Sequence, residues 1–292
     1  MTERVKACRE MICEHMTAEK ITGNRWRNIS QKLYNMLFKD GEKYLKGKKR
    51  ILIVPHRVLY YLPFQILIDS NGTLLIKKYE TGYLPSASVL KYCRHKNKFK
   101  KESLLAFELG NVKAGDLSSL PGTEDEIKSI IPYFQENEIY AGSHMTTDKL
   151  YEKGDKFDIL HFATHSILDP VSPLFSSLVF SDRKLNVYEI FDLNLKSYLI
   201  CLSACRTGLG KETNGDELVG LTRAFIYAGT PTICSSLWDV SDVSTARLME
   251  RFYYYLKDNN KTEAMRLAQL DIVKTYPHPF FWAPFVLTGD WR

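Results

Sequence analysis

Short apolar runs alternate with amphipathic segments along the chain from about residue 51 onwards. The runs are rich in β-branched and aromatic residues, as buried strands are. They are ILIV at 51, TLLIKKY at 73, SLLAFEL at 103, FDILHFA at 157, SSLVF at 176, YLICLSA at 198 and TICSSLW at 232. Because continuous apolar strands that alternate with helices are typical of α/β proteins, the pattern predicts a mostly parallel sheet between two layers of helices.

Periodic apolar positions predict helices at both ends of this region. Residues 25–46 place Trp26, Ile29, Leu33 and Leu37 at helical spacing. The same spacing, together with start and stop residues, predicts four further helices at 3–20, 215–229, 242–257 and 262–275.

The change of pattern near residue 49 divides the chain into two parts. Residues 1–48 are predicted to be an N-terminal helical segment that serves as a linker or docks a partner, and residues 49–292 to be the main domain. Within that domain, TEDE at 123–126 has the pattern of a capping box, with Thr123 bonding the first turn of a helix and Glu126 reaching back. The segment PFFWAPFVLTGDW is aromatic and apolar, and we expect it to be an edge element that covers the sheet.

Composition limits the classes of function. The 292 residues are 45% hydrophobic and carry a net charge of +6, a mild excess that does not require a nucleic-acid partner. The densest basic run, KYCRHKNKFKK at 91–101, is interpreted as a solvated helix end and linker. No apolar stretch approaches the ~20 residues of a membrane span, and the charged start MTERVKACRE does not resemble a signal peptide. We therefore expect a cytoplasmic protein with free thiols.

Cys8, Cys13 and His15 lie close together in sequence and carry side chains that bind metals. Their spacing matches no standard zinc pattern, so they are interpreted as residues on the inner face of a helix. No metal and no cofactor are predicted for this chain.

Two reactive side chains stand near the carboxyl ends of predicted strands. His165 follows FDILHFA by two positions, and Cys205 follows YLICLSA directly. Because open parallel sheets carry their chemistry at the carboxyl ends of strands, neighbouring strands would bring both side chains to one edge. The imidazole can then take the thiol proton, form an ion pair with the thiolate and later protonate a leaving amine.

An oxyanion that develops during such a reaction needs fixed hydrogen-bond donors. The backbone N–H groups of Ser166 and Cys205 are the candidates, and Gly208 and Gly210 permit a loop that a peptide can approach.

The other His and Cys residues of these strands have structural interpretations. His161 lies on the same face of the predicted strand as His165 and is expected to be a buried histidine with polar partners. Cys201 and Cys234 lie inside apolar strands and are expected to be buried and inert.

The chain resembles the CHAT domain, a family of caspase-like peptidase domains that are often joined to TPR repeats and are related to separase. The resemblance covers about residues 50–292 and rests on LIVPHRVLYYLPFQIL, LPGTEDEI, ILHFATHSILD, LICLSACRTGLG, NGDELVGLTRAFIYAGTPTICSSLWDVSD and HPFFWAPFVLTGD. It implies a caspase-like three-layer α/β sandwich and a cysteine endopeptidase with His165 as catalytic histidine and Cys205 as nucleophile. The family commonly has glycine after the histidine, where this chain has Ser166.

The resemblance also implies a substrate preference. Relatives of separase type prefer a basic residue before the cut, which requires a carboxylate in the first substrate pocket. Asp239 and Asp242 follow a strand that should flank Cys205, and Asp239 is the first choice. Asp216 is the second choice, although an aspartate there also suits the start of a helix. Trp238 is interpreted either as a wall of this pocket or as part of the core.

Three other interpretations fit parts of the sequence. A CHAT fold without catalysis would be a scaffold for protein interactions. A metal hydrolase would use His161, His165 and Cys205, but ~13 Å separates two strand residues four positions apart. Nucleotide binding would need a glycine-rich phosphate loop, and GLGKETNG lacks the required spacing.

Members of the family act downstream of sensing modules, some of them tied to bacterial immunity. The resemblance therefore predicts a protein substrate and an activating partner, such as an upstream sensor or TPR module. We expect such a partner to order the loops at Ser166–Pro173 and Thr207–Gly215, whose polar, Gly- or Pro-bearing composition is typical of mobile segments. No nucleic-acid or membrane partner is predicted.

Overall fold

The computed structural model describes residues 1–13, 24–93, 101–112, 117, 119–169, 171–207, 216–239 and 242–292. For residues 204–207, 216–219 and 242 the description is limited to the backbone.

The strands of the described residues form one ten-stranded sheet. They are β1 Arg50–Ile53, β2 Glu80–Tyr83, β3 Ser103–Glu108, β4 Glu136–Ala141, β5 Ile159–Ile167, β6 Ser177–Val179, β7 Lys184–Asn186, β8 Leu199–Thr207, β9 Thr232–Ser236 and β10 Phe285–Gly289. The order is β1-β2-β10-β9-β8-β5-β3-β4, and β6 and β7 form a hairpin beside β5. Neighbours along the main path are parallel except β9 and β10.

Helices cover both faces of the sheet. In the described part of the chain they are α1 Thr2–Cys13, α2 Arg25–Leu37, α3 Glu42–Leu45, α4 Leu75–Lys78, α5 Val89–Tyr92, α6 Thr123–Ile130, α7 Thr147–Lys153, α8 Val187–Ile190, α9 Asp216–Tyr227, α10 Asp242–Leu256, α11 Lys261–Thr275 and α12 Pro279–Trp282. None of them is both long and apolar enough to cross a bilayer.

The pleat of the strands divides the core into two apolar clusters. Alternate positions of β5 and β8, such as Ile159 and Leu199, pack with α6, α10 and α11 on one face. The positions between them, such as Phe162 and Ile200, pack with α7, α8 and α9 on the other face. Because successive strand residues point to opposite faces, both faces need apolar side chains, and this explains the continuous apolar runs. The predicted three-layer α/β sandwich is confirmed.

The N-terminal helices pack on the same core as the sheet. Val5 and Ile12 of α1 and Leu33 of α2 are buried in the cluster that also contains the sheet residues of the α6–α10–α11 face. Also in α1, the half-buried Arg9 has its guanidinium over the Tyr61 ring at 5.0 Å. Its Nη2 donates to the Leu237 carbonyl oxygen at 3.4 Å.

Three predicted elements differ from the structure. The helix predicted over 25–46 is divided into α2, which ends at Leu37, and the separate short helix α3. The run TLLIKKY forms the short helix α4, and the strand of this region is β2, which begins at Glu80. The segment expected at the edge forms α12 and β10, and β10 lies inside the sheet between β2 and β9. Its residues Phe285 and Leu287 are buried because strands on both sides and helices above enclose them.

The predicted capping box at 123–126 is also wrong. Gly122 is the N-cap of α6, and no side chain caps the helix. The Thr123 hydroxyl lies 2.7 Å from the Leu120 carbonyl oxygen and 3.1 Å from Oε1 of Glu108. The Glu126 side chain points away from the helix start, towards the sheet, because buried polar partners are available there.

Candidate functional site

The two candidate catalytic residues lie on adjacent parallel strands. His165 is in β5 and Cys205 is in β8, and the register of these strands pairs their Cα atoms directly. Each residue stands two positions before the end of its strand rather than beyond it, since the ladder runs to Ile167 and Thr207. The strands are longer than the apolar runs indicate because hydrogen bonds between strands continue after the apolar residues stop.

The register sets the separation of the two positions. Adjacent strands lie about 4.8 Å apart, and residues paired in a parallel ladder belong to the same face of the sheet. His165 is almost fully buried, with 1% of its surface exposed. Its position is on the face covered by α6, α10 and α11, because it is an even number of residues from Ile159.

The two predicted oxyanion donors lie inside strands rather than in loops. Ser166 pairs with Leu178 of β6 on one side and with Arg206 of β8 on the other. Its N–H group therefore points towards a paired strand, and its use as a donor would require this end of the ladder to open. The N–H of Cys205 is also part of β8, so an oxyanion hole formed by these two groups stays a prediction.

The candidate pocket residues follow β9 and begin two helices. Asp239 is exposed and stands three residues after the end of β9, which pairs with β8. Asp216 and Asp242 are the first residues of α9 and α10, respectively. Trp238 belongs to the core and not to an open pocket wall: it is 3% exposed, and its indole N–H donates to the Phe280 carbonyl oxygen at 3.2 Å.

Several predicted features lie outside the described residues. They are Gly208 and Gly210, the loop at Thr207–Gly215 after its first residue, His15, and residues 94–100 of the basic run. The loop at Ser166–Pro173 is described except at residue 170. Within it, the Asp169 carboxylate accepts hydrogen bonds from the N–H groups of Val171 at 2.9 Å and Ser172 at 2.8 Å.

His161 is a buried histidine with polar partners, as predicted. It is fully buried, and its Nδ1 lies 2.9 Å from the Tyr253 hydroxyl. Its Nε2 lies 3.0 Å from Oε1 of Glu126. Burial lowers the pKa of His161, but Cys201 and Glu126 raise it more strongly, to about 10. Within the described part of the chain, no group of three or more His, Cys, Asp or Glu side chains has the arrangement of a metal site.

The predicted burial of the other two thiols in these strands is confirmed. Cys201 and Cys234 are fully buried, and burial raises the pKa of Cys201 well above its usual value. Cys201 pairs in register with His161, four positions before the pair of His165 and Cys205. The two strands therefore carry two His–Cys pairs, one in the closed core and one near the strand ends.

Sequence reasoning missed three polar residues beneath the candidate site. Glu126, Ser203 and Tyr253 form a buried cluster with His161, and the Ser203 hydroxyl donates to Oε2 of Glu126 at 2.9 Å. A signal was present for Ser203, a polar residue on the inward face of an apolar strand two positions before Cys205. No comparable signal existed for Glu126, since the local pattern TEDE matched a helix start.

Comparison with known proteins identifies related sequences. A family model described as the CHAT domain matches residues 27–290. Tetratricopeptide repeat protein 28 of Mus musculus is 34% identical over 111 residues, and the Homo sapiens protein of the same name is 32% identical over 111 residues. Each alignment covers 36% of this chain and 4% of the relative, so the chain spans a small part of these proteins.

Solved structures with a similar fold include a cysteine proteinase and a separase–securin complex. The Arg-specific cysteine proteinase gingipain R, from Porphyromonas gingivalis, superposes with a TM-score of 0.56 at 12% identity, over 97% of this chain and 69% of that one. A chain of the Saccharomyces cerevisiae separase–securin complex gives a TM-score of 0.56 at 12% identity, over 82% of this chain and 16% of that one. At such identities the similarity establishes the fold alone.

Proposed function

Because the chain belongs to the CHAT domain family, we propose that it is a cysteine endopeptidase in which His165 activates Cys205. The observation that carries this proposal is the register of β5 against β8, in which these two residues are direct neighbours. The CHAT match and the caspase-like fold support peptidase chemistry as a class.

The reaction follows from the acid–base properties of the two groups. His165 takes the thiol proton, and the thiolate of Cys205 attacks the peptide carbonyl carbon. The C–N bond breaks as the imidazolium gives its proton to the leaving amine, which leaves a thioester on the cysteine. The neutral imidazole then takes a proton from water as the water oxygen attacks the thioester carbonyl carbon. The C–S bond breaks and releases the carboxylic acid product, and the imidazolium returns its proton to the Cys205 thiolate.

Covalent labelling tests the proposal. A peptide chloromethyl ketone should alkylate Cys205 faster than the other cysteines, and mass spectrometry locates the label. Because a thiol with an ordinary pKa of ~8.5 is only a few per cent ionised at neutral pH, His165→Ala should slow labelling about 30-fold. Labelling that spreads over all cysteines and is indifferent to His165 would favour the scaffold interpretation instead.

We propose Asp239 as the carboxylate of the first substrate pocket. It is exposed, and it follows the strand that pairs with β8. Gingipain R, which shares the fold, is Arg-specific, and this supports a preference for a basic residue before the cut.

Asp239→Asn should lower kcat/KM for substrates with Arg or Lys before the cut by about 10- to 100-fold, because a hydrogen bond to a charged group contributes about 1.5–3 kcal/mol. Substrates with Leu at that position should change little. Asp258→Asn is the matched control, because Asp258 is an exposed aspartate two residues after the opposite end of α10. If the loss appears with Asp216→Asn instead, the pocket carboxylate is Asp216.

We further propose that a protein partner controls the activity. Two relatives are named as tetratricopeptide repeat proteins, and the separase structure of similar fold is a complex with securin. The contact of Arg9 with Leu237 supports a route for control, because it joins α1 to the segment that leads to Asp239. An isolated chain that cleaves as fast as the chain in its own cell lysate would contradict this part of the proposal.

A further inference from the structure

Four buried polar side chains meet on the face of the sheet that carries the candidate dyad. Glu126 of α6 contacts His161 of β5 and Ser203 of β8, and His161 in turn contacts Tyr253 of α10; each of the four is less than one-tenth exposed. One oxygen of the Glu126 carboxylate lies 3.0 Å from Nε2 of His161. The other accepts a hydrogen bond from the Ser203 hydroxyl at 2.9 Å.

The Glu126 carboxylate therefore joins the two strands that carry the dyad. His161 is four positions before His165 in β5, and Ser203 is two positions before Cys205 in β8. Positions separated by an even number of residues share a face of the strand, so both contacts lie in the same rows as the dyad.

The same cluster also includes the last turn of α10, the helix that follows the candidate pocket. The Tyr253 hydroxyl lies 2.9 Å from Nδ1 of His161. Tyr253 belongs to α10, which begins at Asp242, three residues after Asp239. The cluster thus connects β5, β8 and the helix that follows the candidate pocket.

Burying these four polar side chains among apolar ones costs free energy unless they find polar partners. Ile159, Ala163 and Leu199 in the same rows are apolar and buried, so apolar side chains fit this face of the sheet. A buried ion pair commonly contributes less stability than well-packed apolar residues would, but it fixes geometry, since removing one partner leaves the other unpaired. A cluster of this kind suits a role in orientation better than a role in stability.

We infer that Glu126 is a positioning residue for the proposed dyad, because its carboxylate holds β5 and β8 in the alignment that brings His165 and Cys205 together. Ser203 is its contact nearest to the nucleophile along the strand. The inference rests on the proposed function.

The test measures the pH dependence of iodoacetamide labelling at Cys205, which reports the pKa of this thiol without a substrate. Ser203→Ala removes the contact between Glu126 and β8, and it should raise the labelling midpoint by about one pH unit, because misalignment weakens the ion pair with His165. Ser197→Ala is the matched control: its hydroxyl is buried and bonded to Thr230 at 2.6 Å, but it precedes β8 at the opposite end. The control should keep the wild-type midpoint.

A second variant and two reference measurements complete the design. Glu126→Gln keeps the shape of the side chain but removes its charge, and its midpoint should rise at least as far as that of Ser203→Ala. Thermal unfolding of each variant shows how far stability has changed, and His165→Ala gives the midpoint of a thiol without its histidine.

Each remaining outcome overturns the inference in a recognisable way. If the wild-type midpoint is low and depends on His165, but Ser203→Ala and Glu126→Gln leave it unchanged, the positioning role is wrong and the dyad stands. Equal shifts in Ser203→Ala and Ser197→Ala would indicate general loosening of the strand. An ordinary wild-type midpoint that is indifferent to His165 would overturn both the proposed function and the inference.

Discussion

Cys205→Ala is expected to keep the fold and to lose at least about 1,000-fold in kcat/KM, the largest effect on activity that we predict. Without the sulfur no thioester forms, and the remaining groups can only polarise the peptide bond. Cleavage of a peptide substrate and thermal unfolding, measured side by side, separate loss of chemistry from loss of structure.

Cys201→Ala provides a matched control on the same strand. Cys201 also pairs in register with a histidine, His161, but it is fully buried, and burial raises the pKa of its thiol well above the usual value. We expect this variant to lose about 1 kcal/mol of stability through the small cavity and to stay within a few-fold of wild-type activity. If Cys201 proves essential and Cys205 dispensable, the catalytic pair is His161 and Cys201 instead.

Comparison of the wild type with Cys205→Ala can also identify the natural substrate. Fragments that appear in a cell lysate with the wild type, and are absent with Cys205→Ala, identify the cleaved protein by mass spectrometry. The residue before each new terminus gives the preference directly, and Arg or Lys at that position would agree with a carboxylate at Asp239.

Gly229→Ala is expected to cost about 3 kcal/mol or more in the free energy of unfolding. Gly229 follows α9 with φ of +116°, a region that residues with a side chain rarely occupy. A Cβ atom there would press into the carbonyl oxygen of Leu195, far inside normal contact. The two segments cannot separate easily, because the Leu195 N–H donates to the Ala228 carbonyl oxygen at 2.6 Å.

Gly72→Ala separates the two causes of the lost stability in Gly229→Ala, the positive φ and the clash with Leu195. Gly72 also has a positive φ, +76°, but no atom lies within 4 Å of a Cβ at that position. We expect it to lose about 1 kcal/mol from the backbone alone. Chemical denaturation of both variants measures the difference. Similar losses would mean that the chain around Leu195 relaxes and that the close approach is of little importance.

The sheet strands were predictable where the signal is local. The apolar runs of β5 and β8 indicate strands because both faces of the sheet are covered. Gly229 indicates the end of a helix because glycine readily adopts the positive φ that the structure has there. The adjacency of His165 and Cys205 followed from a general rule about strand ends and from the family resemblance.

The remaining features depend on contacts between distant parts of the chain. The position of β10 inside the sheet is set by pairing with β2 and β9, which no pattern within 279–291 encodes. Glu126 fits a helix start locally, but buried partners on two strands determine where its side chain lies. For Trp238, residue type alone could not decide between pocket and core; its burial and its bond to Phe280 depend on α12.

The interior position of β10 has a consequence for synthesis of the protein. Among the described strands, β1 and β2 join the rest of the sheet only through β10, which is translated after all of them. On the ribosome the sheet therefore stays in two separate pieces until residue 289 has left the exit tunnel. The sheet is therefore complete only after residue 289 has left the tunnel, and the proposed peptidase activity, which relies on that sheet, is expected no earlier.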